Sequence, residues 1–144
     1  MTLIFSIFYI IILIFSIVIH EIAHGYVAFL WGDNTAKNQG RLTLNPLSHI
    51  EWFGSVILPG ILILSGAGFV FGWAKPVPYN PANLRNKRWG TLAVASAGVI
   101  VNMCIALVFG ILTRVLIAQG VIITDSSTYE ILQTIVGLNL VLAI

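Results

Sequence analysis

The sequence predicts an all-α, multi-pass membrane protein with three to four transmembrane helices and short extended or re-entrant segments between them. Three observations carry this. Hydrophobic residues make up 58% of the chain and charged residues only 8%, against roughly 25% charge in a soluble domain. Mean hydropathy is +0.99. The apolar residues are gathered into runs on the scale of the ~30 Å hydrocarbon layer, with most charges between them. The lipid bilayer is therefore the expected surroundings. A net charge of +2 gives no argument for nucleic acid. The single cysteine, Cys104, excludes an intramolecular disulfide.

The first helix is expected over about 3–31. Leu3 to Ile19 carries no charge, and at 1.5 Å per residue the helix measures about 43 Å, longer than the hydrocarbon layer. Met1-Thr2 is not a basic leader and no A-x-A-like cleavage site follows, so the helix reads as retained rather than as a signal peptide. Gly32-Asp33-Asn34 supplies the stop. In the loop that follows, the alternation of Gly40-Arg41-Leu42-Thr43-Leu44 predicts a short strand.

A second span is expected over about 52–71, with Trp52 and Trp73 as interfacial anchors. Gly54, Pro59, Gly60, Gly66 and Gly68 predict that it is kinked or interrupted. In the next loop, Lys75-Pro76-Val77-Pro78-Tyr79 should be extended, because each proline fixes its own φ and discourages helix in the residue before it. The third span, about 91–114, is uncharged until Arg114. A partial fourth span is expected over about 130–144, apolar from Ile131 but shorter than the ~20 residues needed to cross, which reads as a helix cut short. The whole is one incomplete core, 1–144. Lys75, Arg85, Lys87 and Arg88 outnumber Lys37, Arg41 and Arg114 by one, so the positive-inside rule favours the second loop on the cytoplasmic side.

The chemistry lies in His20-Glu21-Ile22-Ala23-His24, an H-E-x-x-H pentad inside the first apolar helix. Positions i and i+4 share one helix face, about 6 Å apart along the axis, so two imidazoles can converge on one Zn²⁺ at roughly 2.0–2.1 Å. Glu21 follows on an adjacent part of the surface and can take the proton of a zinc-bound water. Ala23 and Gly25 are small and would let an extended substrate approach. The bland alternative is a chance match on a solvated face. It sits poorly with three of the chain's eight His, Asp and Glu residues falling in one pentad of an apolar helix, where unpartnered polar groups are costly.

Four segments extend the pattern: H-E-I-A-H-G (20–25), G-D-N-T-A-K-N-Q-G-R-L-T-L-N-P-L-S-H-I (32–50), F-G-W-A-K-P-V-P-Y-N-P (71–81) and A-G-V-I-V-N (97–102). With these in order, the chain resembles the site-2 protease family, in particular its short members without PDZ domains, from about residue 10 onward. The resemblance implies that His20 and His24 are zinc ligands and Glu21 the catalytic acid/base. It matches Asn102 to the asparagine of a family G-P-x-x-N segment, with Val99 in place of the proline. Asn102 could then support a developing oxyanion, or serve as an interhelical hydrogen-bonding residue. The segments at 40–44 and 75–79 resemble elements beside the family's active site that pair with a substrate strand. The family's third zinc ligand, an aspartate in an L-D-G motif, has no counterpart in these residues, and 137–144 resembles the sequence just upstream of it. The in-chain substitutes would be Asp33, His49, Glu51, Asp125 or Glu130.

The expected function is an intramembrane zinc metalloendopeptidase that cuts transmembrane segments of other proteins in the cell membrane, by resemblance a prokaryotic plasma membrane. The alternatives are an inactive truncated homologue, or a membrane metal-binding or carrier protein using His20, Glu21 and His24.

Overall fold

The structure, a computed structural model, describes residues 3–66 and 73–144. These fold without a strand into helices and irregular connections. α1 spans Leu3–Leu30, α2 Thr35–Asn38, α3 Leu58–Leu64, α4 Lys87–Ala118 and α5 Ser127–Leu142. α1 and α4 are long and apolar enough to cross a membrane.

α1, α4 and α5 pack against one another and form the body of the protein. Beside buried Val18, Val94, Leu132 and Leu138, their contact surfaces depart from the usual soluble pattern. Ser16, Asn102, Thr113 and Asn139 are buried, while Ile10, Ile14, Leu107, Val108 and Ile111 are exposed. That arrangement suits an apolar solvent, where large aliphatic groups gain little from leaving the surface and polar groups need partners inside. Small residues at the seam, among them Ala28, Ala97, Gly98 and Ala106, let the helices approach closely.

The helix ends follow from local chemistry. α1 closes with a Schellman motif: Gly32 donates to the Phe29 carbonyl and Asp33 to that of Ala28, with Gly32 at φ +107°. α4 begins on Asn86, whose side chain accepts from the Trp89 N–H. It closes on Gly120 in the same way, at φ +69°. Ser126 caps α5 by accepting from the Tyr129 N–H.

The second apolar run opens as π-helix over Trp52–Ile57 and tightens into α3. Glu51 caps it, accepting from the N–H groups of Phe53 and Gly54. Pro59 cannot donate to the carbonyl four residues before it, and the wider turn precedes it. The rest of the expected span, 67–71, lies outside the described residues.

The strand expected over 40–44 does not form; residues 42–44 bend. Alternation places side chains but does not supply a ladder partner. The nearby strap, residues 73–80, is neither helix nor strand, and Pro76 and Pro78 have no N–H to give. Arg41 spans the gap with its side chain instead, donating from Nη2 to the carbonyls of Lys75 and Pro76.

Candidate metal centre

One face of α1 carries Ser16, His20 and His24 at four-residue intervals, and each finds a polar partner on a neighbouring helix. Ser16 Oγ accepts from Asn139 Nδ2 of α5 at 3.0 Å. His20 Nδ1 lies 3.1 Å from Asn102 Nδ2 of α4. His24 Nδ1 lies 2.6 Å from the Val94 carbonyl oxygen, also on α4. The two imidazoles meet edge to face, with ring centroids 4.8 Å apart. α1 and α4 thus bring together the three residues expected at one site, His20, His24 and Asn102.

Glu21 is held from a different direction. Its Oε2 accepts from the Val77 N–H at 2.8 Å. Val77 is buried, and a Cβ on Gly25 would fall 2.5 Å from its Cγ1 and 2.7 Å from Leu42 Cδ2. The bare face of Gly25, expected to admit a substrate, is filled by the chain's own strap and by Leu42.

The strap is tied along its length. Trp73 donates to the Gly54 carbonyl at 3.2 Å and Lys75 to that of His49 at 2.8 Å. His49 is buried, its Nε2 2.9 Å from the Thr43 carbonyl oxygen. Asp33 anchors the strap's far end. Fully buried, its carboxylate accepts from Thr35 N, Thr35 Oγ1, Asn80 N and Asn83 Nδ2. Burial pushes its pKa up, but the hydrogen bonds from Thr35, Asn83 and Asn80 outweigh that and hold it below its ordinary value.

None of the in-chain substitutes completes a ligand set. Asp33 is taken up by the strap, Glu51 by its cap and His49 by Thr43. Among the described residues no group of three or more His, Cys, Asp or Glu could hold a metal ion. Of the two imidazoles, His24 is already set for zinc. A ring nitrogen facing a backbone carbonyl must carry the proton, so His24 presents Nε2 with a free lone pair. Zinc at a catalytic centre takes three protein ligands, and this pair supplies two.

Sequence reasoning gave no individual role to Val94, Val77, Arg41 or Gly98. The first two act through backbone atoms and leave no side-chain signal. Gly98 has one: it lies four residues before Asn102, on the same helix face.

Residues 8–143 match peptidase family M50. Two relatives named "putative zinc metalloprotease" are similar to this chain. YwhC of Bacillus subtilis (strain 168) is 40% identical over 108 residues, covering 75% of this chain and 46% of the relative. Rip2 of Mycolicibacterium smegmatis (strain ATCC 700084 / mc(2)155) is 33% identical over 100 residues, covering 69% of this chain and 37% of the relative. The chain spans less than half the length of these curated relatives. No solved structure gives a significant match.

Proposed function

The chain belongs to peptidase family M50, the site-2 proteases, and is a metalloprotease by that resemblance; from this we propose that it is an intramembrane endopeptidase hydrolysing peptide bonds in the transmembrane segments of other proteins. One observation carries the reading. His20 and His24 meet edge to face on a membrane-length apolar helix, each with its Nδ1 engaged by α4. Such groups are costly in hydrocarbon and mark functional sites there.

In this reading His20 and His24 hold zinc, and a third ligand comes from outside these residues, as the family's L-D-G aspartate. Zinc, when bound, supplies Lewis acidity that makes water a nucleophile at neutral pH. Glu21 takes the attacking water's proton and passes it to the leaving amine. The Val77 N–H engages Oε2 and leaves Oε1 for that exchange. Asn102 stands within reach of the same centre.

The site lies near one membrane face. His20 is about 26 Å along the helix from Leu3, most of the way through a ~30 Å layer. α1 and α4 span fully, with α5 and the run beginning at Trp52 making up three to four spans in a prokaryotic plasma membrane. A carrier would use Glu21 as a ligand, but here the carboxylate is turned to the strap, which favours the protease.

The test uses the full-length protein in nanodiscs with a transmembrane peptide substrate. Glu21→Gln keeps zinc and loses hydrolysis; His24→Ala loses both. Cleavage by Glu21→Gln at the wild-type rate would remove Glu21 as the base and sink the mechanism.

A further inference from the structure

We propose that Gly98 and Asn102 form a socket on α4 that sets the ring plane and tautomer of His20, making them positioning residues for the metal rather than groups that touch substrate. This rests on the zinc reading above.

The two residues are one turn apart on the same face of α4. A Cβ on Gly98 would lie 2.5 Å from both Cδ2 and Cε1 of His20, and closer still to Nε2. A point along the in-plane lone pair of Nε2 would stand well farther from both carbons than from the nitrogen. The absent side chain therefore lies over the ring's face. The imidazole rests flat on the α4 backbone at Gly98, and its lone-pair direction stays clear. Any side chain there forces the ring to move.

Asn102 then fixes the rotation and the proton. It is fully buried, with its Nδ2 3.1 Å from His20 Nδ1 and its Oδ1 without a partner. With the amide nitrogen donating, Nδ1 must be bare, so Nε2 carries the proton and cannot bind a metal. Turning the amide by 180° exchanges its oxygen and nitrogen with almost no change of shape. Oδ1 then accepts from Nδ1–H, and Nε2 offers its lone pair. Either orientation leaves one amide atom without a protein partner, so hydrogen-bond satisfaction does not choose between them. The tautomer needed for ligation does. His24 already has this arrangement, with the Val94 carbonyl at its Nδ1. Both imidazoles would thus be oriented by an α4 oxygen, the kind of support that ligating histidines use.

The experiment uses the full-length zinc-loaded protein in nanodiscs, with ¹⁵N-labelled histidine and His20 assigned by loss of its signal in His20→Ala. The expected spectrum has His20 protonated at Nδ1 and metal-bound at Nε2. In chelator competition, Asn102→Leu weakens zinc binding by roughly 10- to 100-fold. Asn102→Asp, which keeps an acceptor at Nδ1, restores it to within a few-fold. Gly98→Ala also weakens zinc, whereas Gly110→Ala leaves it unchanged, since a Cβ there meets open space on the same helix. A bare Nδ1 in the loaded wild-type protein overturns the proposal, even if the leucine variant fails to fold. So does wild-type zinc affinity in Asn102→Leu with proteolysis lost, which would place the amide on the substrate. So does wild-type zinc affinity in Gly98→Ala. Failure of the zinc reading itself looks different: wild type and His24→Ala would hold zinc equally.

Discussion

The two halves of α1 have different surroundings. In the N-terminal half, Ile7, Phe8, Ile10, Ile11, Ile14 and Phe15 all lie exposed. In the C-terminal half, Ser16, Val18, Gly25 and Ala28 are buried, and Ser16, His20, Glu21 and His24 each meet a polar group from α5, α4 or the strap. One continuous helix thus passes from an exposed, apolar stretch into a protein-lined seam. In hydrocarbon a polar side chain without a partner costs several kcal/mol. Chemistry can therefore sit only where the other elements close in, and the strap and α4 are what make the second half of α1 different from the first.

The largest break in this contrast should come from Asp33, which ties the strap to the end of the enclosed half. Asp33→Ala leaves four donors from Thr35, Asn80 and Asn83 without their acceptor. The expected loss is about 3 kcal/mol or more of unfolding free energy, measured by denaturant titration in mixed micelles. Asp125→Ala, at an exposed position, should stay within about 0.5 kcal/mol. The pH dependence carries a definite sign. Because the folded pKa of Asp33 lies below its ordinary 3.8, its contribution is fully present above that value. It is lost as pH falls through the lower, folded one. Melting temperature followed from pH 6 to pH 2 should drop below pH 4 in the wild type and much less in Asp33→Asn. Parallel curves would mean that the carboxylate does not hold the strap.

The two halves also differ in how readable they were. The all-helical class and the two long helices follow from charge-free runs that few other structures can accommodate. The pentad stands out because polar residues are scarce around it. The strap does not, since its ties are mostly backbone groups: the N–H of Val77 and Asn80, and the carbonyls of Lys75 and Pro76. Any residue but proline could supply such a donor, and any residue such a carbonyl. The strand expectation at 40–44 failed for a related reason. The charge at Arg41 reads as solvent-facing, yet Arg41 is buried, reaching across to the strap. Asp33 was legible as a helix stop. Its other role needs Asn80 and Asn83 to return to it from nearly fifty residues away, which no local pattern records.

Gly25 is the next break, smaller because it adds one methyl group rather than removing a network. In Gly25→Ala the new Cβ meets Val77 Cγ1 and Leu42 Cδ2 at distances real side chains do not tolerate, and both can yield somewhat. Overpacking of this kind costs about 1–3 kcal/mol. The more telling readout is hydrolysis. Moving Val77 loosens the N–H that orients Glu21, so kcat should fall while zinc affinity holds. Unchanged kcat in a folded Gly25→Ala protein would mean that the strap covers α1 without orienting Glu21.

The smallest effect should lie in the exposed half. Ile11 is 45% exposed and Val18 only 2%, seven residues along the same helix. If α1 were an ordinary soluble helix, truncating Ile11 to alanine would gain or lose little, because the group already faces solvent, and water would tolerate a charge there. In a bilayer the first outcome is the same for a different reason: lipid chains are as apolar as isoleucine, so no burial is lost. Ile11→Ala should change unfolding free energy in bicelles by no more than about 0.5 kcal/mol, while Val18→Ala, which opens a cavity in the seam, should cost about 1–2 kcal/mol. Ile11→Lys separates the two solvents. In water it should be nearly silent, but at depth in hydrocarbon it should cost about 2.5–3.5 kcal/mol on insertion scales. Efficient insertion and unchanged stability of Ile11→Lys would place the first half of α1 outside the hydrocarbon, and the contrast between the two halves would lose its cause.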